Sequence, residues 1–196
     1  MDLHNRINEH FKQNVLLTSQ LAPLLAEPIE QASALIAESL LARKKILACG
    51  NSVCAGNAQY LVSRLMGHLG IERPALAAIN LSQDFQLLSA MAMSGELNQV
   101  FSRQVSALGE ERDVLFAMCV SGESHNVTQA IRSARENGMQ VIVLVGGDGG
   151  EMINALHDAD ILLSIPSHEM ARVQEIFVLV IHCICDAVDS ILLGVE

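Results

Sequence analysis

Two short segments of this chain share one build. Ile46-Leu47-Ala48-Cys49-Gly50-Asn51-Ser52 and Leu115-Phe116-Ala117-Met118-Cys119-Val120-Ser121-Gly122-Glu123-Ser124 each run from an apolar strand through a small polar turn toward a helix. In an open parallel sheet such turns lie at the carboxyl ends of strands, where ligands bind. Hydroxyls from Ser52, Ser121 and Ser124, with the free amides of the following helices, suit a phosphate monoester. Asn51 and Gly122 complete that candidate set. The same residues admit a structural role, with Ser124 only an N-cap and Gly122 only a turn residue. Because the design occurs twice in one sheet, both readings stand. Neither turn is a Walker A loop or a GxGxxG dinucleotide fingerprint. No serine sits in a hydrolase nucleophile elbow. Gly146-Gly147-Asp148-Gly149-Gly150 reads as a flexible strand-to-helix connection.

The elements that must hold these turns follow from hydrophobic period. Residues 2–26 read as a helix, and Pro28 opens a second one carrying Ile29, Ala32, Leu35, Ile36 and Leu40. Short apolar runs near residues 45, 76, 113, 141 and 161 read as five buried strands. Helical patterns fall between them, over about 55–68, 84–93, 97–108 and 125–137, and a last helix covers about 168–193. Buried strands alternating with helices predict a parallel sheet covered on both faces. Arg43-Lys44-Lys45 marks a helix-to-strand corner. The expected organisation is one α/β domain over residues 1–196, with 1–43 as a helical extension used in oligomerisation.

Composition narrows the function classes. Of 196 residues, 51% are hydrophobic and only 3% aromatic, which favours helices packed on a sheet over an all-β sandwich. A net charge of −10 is the wrong sign for gripping nucleic acid by its phosphates, so no direct nucleic-acid binding is expected. Apolar runs interrupted by charges, as at Asp186 and Asp189, argue against a membrane span. Met1-Asp2-Leu3-His4-Asn5-Arg6 lacks the apolar core of a signal peptide, so a cytoplasmic location is expected. The five cysteines form no CxxC pair and read as free, mostly buried thiols. So much Leu, Val and Met in a domain of this size points to a subunit interface.

The segments CGNS, RP at 73–74, SGESHNV, GGDGGEM, IPS, ARVQEI and IHCICD resemble the sugar isomerase (SIS) domain family. Their order and spacing look like the phosphoheptose isomerases and their relatives the DiaA proteins, which associate with the replication initiator DnaA. The resemblance covers nearly the whole chain. It implies a flavodoxin-like, five-stranded parallel sheet with two N-terminal helices and a long C-terminal one, assembled as a homotetramer.

The isomerases move a proton between neighbouring carbons of sedoheptulose 7-phosphate, which requires a base and an acid beside an enediol-like intermediate. The resemblance places the family's His and Glu, one helical turn apart, at Tyr60 and Arg64. A guanidinium stays protonated and cannot be that base. Gln174 and His182 match the family's Gln and catalytic His, and Gln174 joins the candidate phosphosugar-binding set. In zinc-binding isomerases these four positions are the ligands; two of them are lost here, so no metal and no cofactor are expected. Further departures are Ser52-Val53-Cys54, Met93-Ser94 and Cys119-Val120-Ser121 in place of the family's more polar stretches.

The expectation drawn from these losses is a DiaA-like tetrameric adaptor without catalysis, His182 and Gln174 being residual. Its partner would be the N-terminal domain of DnaA, held through Leu192 and Leu193, with a phosphosugar ligand allowed for. The alternative is a phosphoheptose isomerase that converts sedoheptulose 7-phosphate to D-glycero-D-manno-heptose 7-phosphate.

Overall fold

In the computed structural model, residues 2–68 and 72–194 are described. Five parallel strands form one sheet: β1 (Ile46–Gly50), β2 (Ala78–Asn80), β3 (Val114–Cys119), β4 (Gln140–Gly146) and β5 (Ile161–Ile165), in the order β2-β1-β3-β4-β5. Ile46 stands opposite both Ala78 and Val114, and the register continues through Met118 opposite Leu144 to Gly146 opposite Ile165. This is the flavodoxin-like order expected from the resemblance. Strand order reverses between β1 and β3, and a crevice opens outside their carboxyl ends.

Every residue of β1 and β3 is buried, because helices cover both faces. The period of two divides the core cleanly. Ile46, Ala48, Val114, Phe116, Met118, Ile142 and Leu144 face α1 (Leu3–Leu41), α2 (Val53–Met66) and α7 (Met170–Leu193). Leu47, Cys49, Leu115, Ala117, Val141, Val143 and Val145 face the other layer. That layer holds α3 (Phe85–Met93), a 3-10 turn at Leu97–Gln99, α4 (Val100–Leu108), α5 (His125–Glu136) and the short α6 (Gly150–Asn154). By length and composition α7 is apolar enough to cross a membrane, but here it is the core helix, wedged between α1, α2 and the sheet.

The expected pair of N-terminal helices is one helix of 39 residues, α1, which carries Pro23 and Pro28 in its interior. Each proline removes a backbone hydrogen bond and costs about 3 kcal/mol in a helix interior. On either side of them Leu21, Leu25, Ala32 and Ile36 are buried against α7 and β5. Burial of such side chains returns about 1.5–3 kcal/mol for each Leu or Ile, enough to carry the helix across both sites. Local chemistry loses to tertiary packing.

The lower end of the sheet is held by polar anchors. Asp113, fully buried, accepts from the Lys45 amide at 2.9 Å, the Lys45 ammonium at 2.6 Å and the Glu110 amide at 2.8 Å. Arg73 donates to the carbonyls of Arg64 and Leu65 and, at 2.5 Å, to Asp189 Oδ1. It thereby joins two carbonyls at the end of α2, the Leu65 one also accepting from the Leu76 amide, and ties that end to α7.

Candidate functional site

The crevice between β1 and β3 receives the two serine-bearing turns and the N-termini of α2 and α5. The turns are tied by a reciprocal amide pair. Asn51 Nδ2 donates to Asn126 Oδ1 at 2.8 Å, and Asn126 Nδ2 donates back to Asn51 Oδ1 at 3.1 Å. Asn51 also donates to Ser124 Oγ at 3.3 Å, and the Cys119 thiol donates to the same oxygen at 3.2 Å. Ser124 therefore accepts from below while its own hydroxyl proton remains to be donated. Its side chain does not cap α5, although it occupies the N-cap position. The capping-only reading of Ser124 fails on that geometry.

Ser52 stands at the start of α2 with φ +52° and ψ −120°, and its side chain caps nothing. A non-glycine residue in that region stores strain of about 1–3 kcal/mol and needs surroundings that over-determine it. The surroundings are visible: Asn51 and Ser52 carbonyls accept from Cys54 and Ala55, and Ser82 clamps Gly50 from both sides, accepting from its amide at 3.1 Å and donating to its carbonyl at 2.9 Å.

The Gly146–Gly150 segment is packed rather than loose. A Cβ at Gly122, whose φ is +75°, would lie 2.1 Å from the Gly149 carbonyl carbon, and a Cβ at Gly146 would lie 2.3 Å from the Val120 oxygen. Backbone on backbone sets the height of the Ser121–Ser124 turn. Asn51, Ser52, Ser121, Gly122 and Ser124 thus share one cradle of hydroxyls, amides and helix N-termini, which can hold an anion. Around its rim lie Glu123, the His125–Glu151 pair at 3.5 Å and the His168–Asp148 pair at 3.5 Å.

Gln174 is not in the cradle. It faces α2, where it exchanges hydrogen bonds with Asn57 at 2.9 and 3.1 Å. This is the top rung of a groove between α2 and α7. Tyr60 and His182 form the next rung: the Tyr60 hydroxyl is hydrogen-bonded to His182 Nε2, with the rings edge-on, 5.4 Å apart and at 70°. Arg64, one turn further along α2, lies near enough to Cys185 to act on its thiol. Burial pushes the Cys185 thiol up to about 11, against the lowering effect of Arg64. Cys54, behind the cradle, is pushed up to about 12 by burial and by the neighbouring Cys119.

The groove does not suit the zinc implied by the resemblance. Tyr60 and His182 satisfy each other, and a guanidinium occupies the fourth position. Among the described residues no three His, Cys, Asp or Glu side chains converge as ligands.

Leu192 and Leu193 do not form an exposed pair. Leu192 packs on the core while Leu193 is 39% exposed, because consecutive residues on a helix point about 100° apart. Sequence reasoning passed over Asn57, Ser82 and Asn126. Asn126 lay inside the quoted SGESHNV segment, and its position in the first turn of α5 was the signal available.

A family model described as "SIS domain" matches residues 9–146. Over its full 196 residues the chain is 45% identical to a phosphoheptose isomerase of Thiobacillus denitrificans, covering all of both chains. The structure is similar to that of a phosphoheptose isomerase from Neisseria gonorrhoeae, with a TM-score of 0.90, 39% identity and coverage of 96% of this chain and 99% of that one. It is also similar to a phosphoheptose isomerase from Francisella tularensis, with a TM-score of 0.93, 36% identity and coverage of 97% and 100%.

These relatives overturn the expectation of a non-catalytic adaptor for DnaA: they match from end to end and carry the name of the enzyme. The expectation let the replacements at Tyr60 and Arg64 and the thinned polar stretches decide for the whole site. Loss of a carboxylate removes one candidate base, not the anion cradle or the histidine opposite it.

Proposed function

Since this chain belongs to the SIS domain family, we propose that it is an isomerase of seven-carbon sugar phosphates, interconverting sedoheptulose 7-phosphate and an aldoheptose 7-phosphate. The observation that carries the proposal is the pairing of an anion cradle with a histidine-bearing groove at a distance that fits the substrate. Eight residues separate Ser52 from Tyr60 on α2, a rise of about 12 Å. Side chains lean toward a helix N-terminus, which brings the Tyr60 hydroxyl and His182 back toward the cradle. An extended chain gains 3.3–3.6 Å per three bonds, so the eight bonds from phosphorus to C1 span about 9 Å. With its phosphate among Ser52, Ser121, Ser124 and the helix amides, a heptose phosphate places C1 and C2 beside His182.

The cradle binds and orients. The Asn57–Gln174 pair lines the groove wall between cradle and histidine. His182 is the base of the site, the task for which imidazole is suited near neutral pH. Five free thiols fit a reducing compartment, and the cytosol is the proposed location.

The enzyme would act as an assembly of copies of itself, four if the resemblance holds. Leu3, Ile7, Phe11 and Val15 form an exposed apolar stripe on α1, and a cavity of about 240 Å³ lies between α1 and α7, lined by Leu21, Leu25, Ile29, Ile176 and Val180. Light scattering on the purified chain reads the state directly; a monomer at micromolar concentration rejects it.

The test of the activity is conversion of sedoheptulose 7-phosphate followed by proton NMR at the aldehyde-derived anomeric position. His182→Ala should lower kcat on the order of 100-fold or more, and KM should rise with Ser121→Ala plus Ser124→Ala. A purified protein without turnover, or with turnover indifferent to His182→Ala, refutes the assignment.

A further inference from the structure

We propose that Tyr60 and His182 act as one proton relay, with the Tyr60 oxygen as the atom that meets the substrate and Arg64 as the cation that steadies the resulting anion; this rests on the isomerase reading above. Three observations lead there. The Tyr60 hydroxyl is hydrogen-bonded directly to His182 Nε2, and in the tautomer protonated on Nδ1 that nitrogen accepts the phenol proton. Tyr60 is only partly buried and His182 is exposed, so the pair stands at the surface between α2 and α7. Arg64 lies one helical turn beyond Tyr60 and, among the described residues, has no carboxylate partner. A half-buried guanidinium without a counter-ion is placed to meet negative charge from a ligand.

The step balances without any co-reactant. The C1–H bond of the ketose breaks, its proton passes to Tyr60 Oη, and the Tyr60 hydroxyl proton passes to His182 Nε2. The electron pair forms the C1–C2 double bond, and O2 takes the negative charge opposite the Arg64 guanidinium. The O1 proton then moves to O2. As C1–O1 becomes a carbonyl, C2 takes the proton held on Tyr60, and His182 returns its proton to the phenol. Phenol and neutral imidazole are restored, and nothing is oxidised or reduced. The cation at position 64 supplies no base, yet it supports the anion that a distant base creates.

The test uses the full chain and sedoheptulose 7-phosphate, with Tyr60→Phe, His182→Asn and the double variant. Phenylalanine keeps the ring and its packing, and thermal midpoints with and without inorganic phosphate show whether fold and cradle survive. Each single substitution should lower kcat on the order of 100-fold with little change in KM. The double variant should lose no more than the worse single one, since a relay is broken once. Wild-type kcat in Tyr60→Phe, or losses that multiply in the double variant, overturns the relay while leaving the isomerase reading intact. No turnover by the unaltered chain refutes that reading and the relay with it.

Discussion

Replacing Ser52 by glycine should make the protein more stable. Ser52 sits at φ +52° and ψ −120°, where a Cβ is strained, and its hydroxyl caps nothing at the start of α2. Relief of the strain is worth about 1–3 kcal/mol. Glycine gives back about 0.4–1 kcal/mol through the larger entropy of the unfolded chain. The net gain is about 1 kcal/mol, which for a chain of this size raises the thermal midpoint by about 2–4 °C. Urea denaturation of the two proteins at one pH, with equal slopes, reads the difference. Inorganic phosphate titrated into the same assay reads the second consequence: the variant, lacking one cradle hydroxyl, should be protected less. A variant less stable than the parent by 0.5 kcal/mol or more would refute the strain argument, because Ser52 would then be making a favourable contact.

Three other outcomes are expected. Asp113→Ala leaves the Lys45 ammonium and two backbone amides without their acceptor, and should cost about 3–5 kcal/mol in urea denaturation. Gly122→Ala drives a Cβ into the Gly149 backbone at a positive φ, so it should abolish protection by phosphate even where the chain still folds, as read by thermal shift. Burial raises the Cys49, Cys54 and Cys185 thiols above the usual range. A raised folded pKa means stability is full below the unfolded thiol value and is lost as pH climbs through it, so denaturation midpoints should fall from about pH 9 toward 11. Triple replacement of those thiols by alanine should flatten that alkaline limb.

The five strands and their parallel order were readable because buried strands in an α/β sheet are unbroken apolar runs, as at Val141–Val145. The place of Asn51, Ser121 and Ser124 was readable, since a strand-turn-helix puts its turn at the sheet's carboxyl edge. Other features were not. The single α1 depends on burial of Leu25 and Ala32 against α7, which no local pattern encodes past Pro28. The packing of Gly146–Gly150 on Gly122 is a tertiary contact between two glycine turns, and in sequence it resembles a loose loop. Gln174 was assigned to the phosphosugar set, whereas its amide is engaged by Asn57 across the groove. The non-catalytic expectation treated Tyr60 as a lost ligand. Its contact with His182 lies 122 residues away in sequence and gives the substitution a chemical use.

The main partners of α1 are β5 and α7, the last elements to leave the ribosome. At synthesis rates of about 5–20 residues per second, the apolar side of α1 at Leu21, Leu25, Ala32 and Ile36 waits roughly 6–30 s for its cover. For that interval the nascent chain displays a long, greasy cylinder without its main cover. Chaperones, or the same helix on neighbouring chains of one polysome, would be its first company. A message truncated after β4 would therefore yield a chain that clumps, while the full-length product, once released, closes over its own beginning.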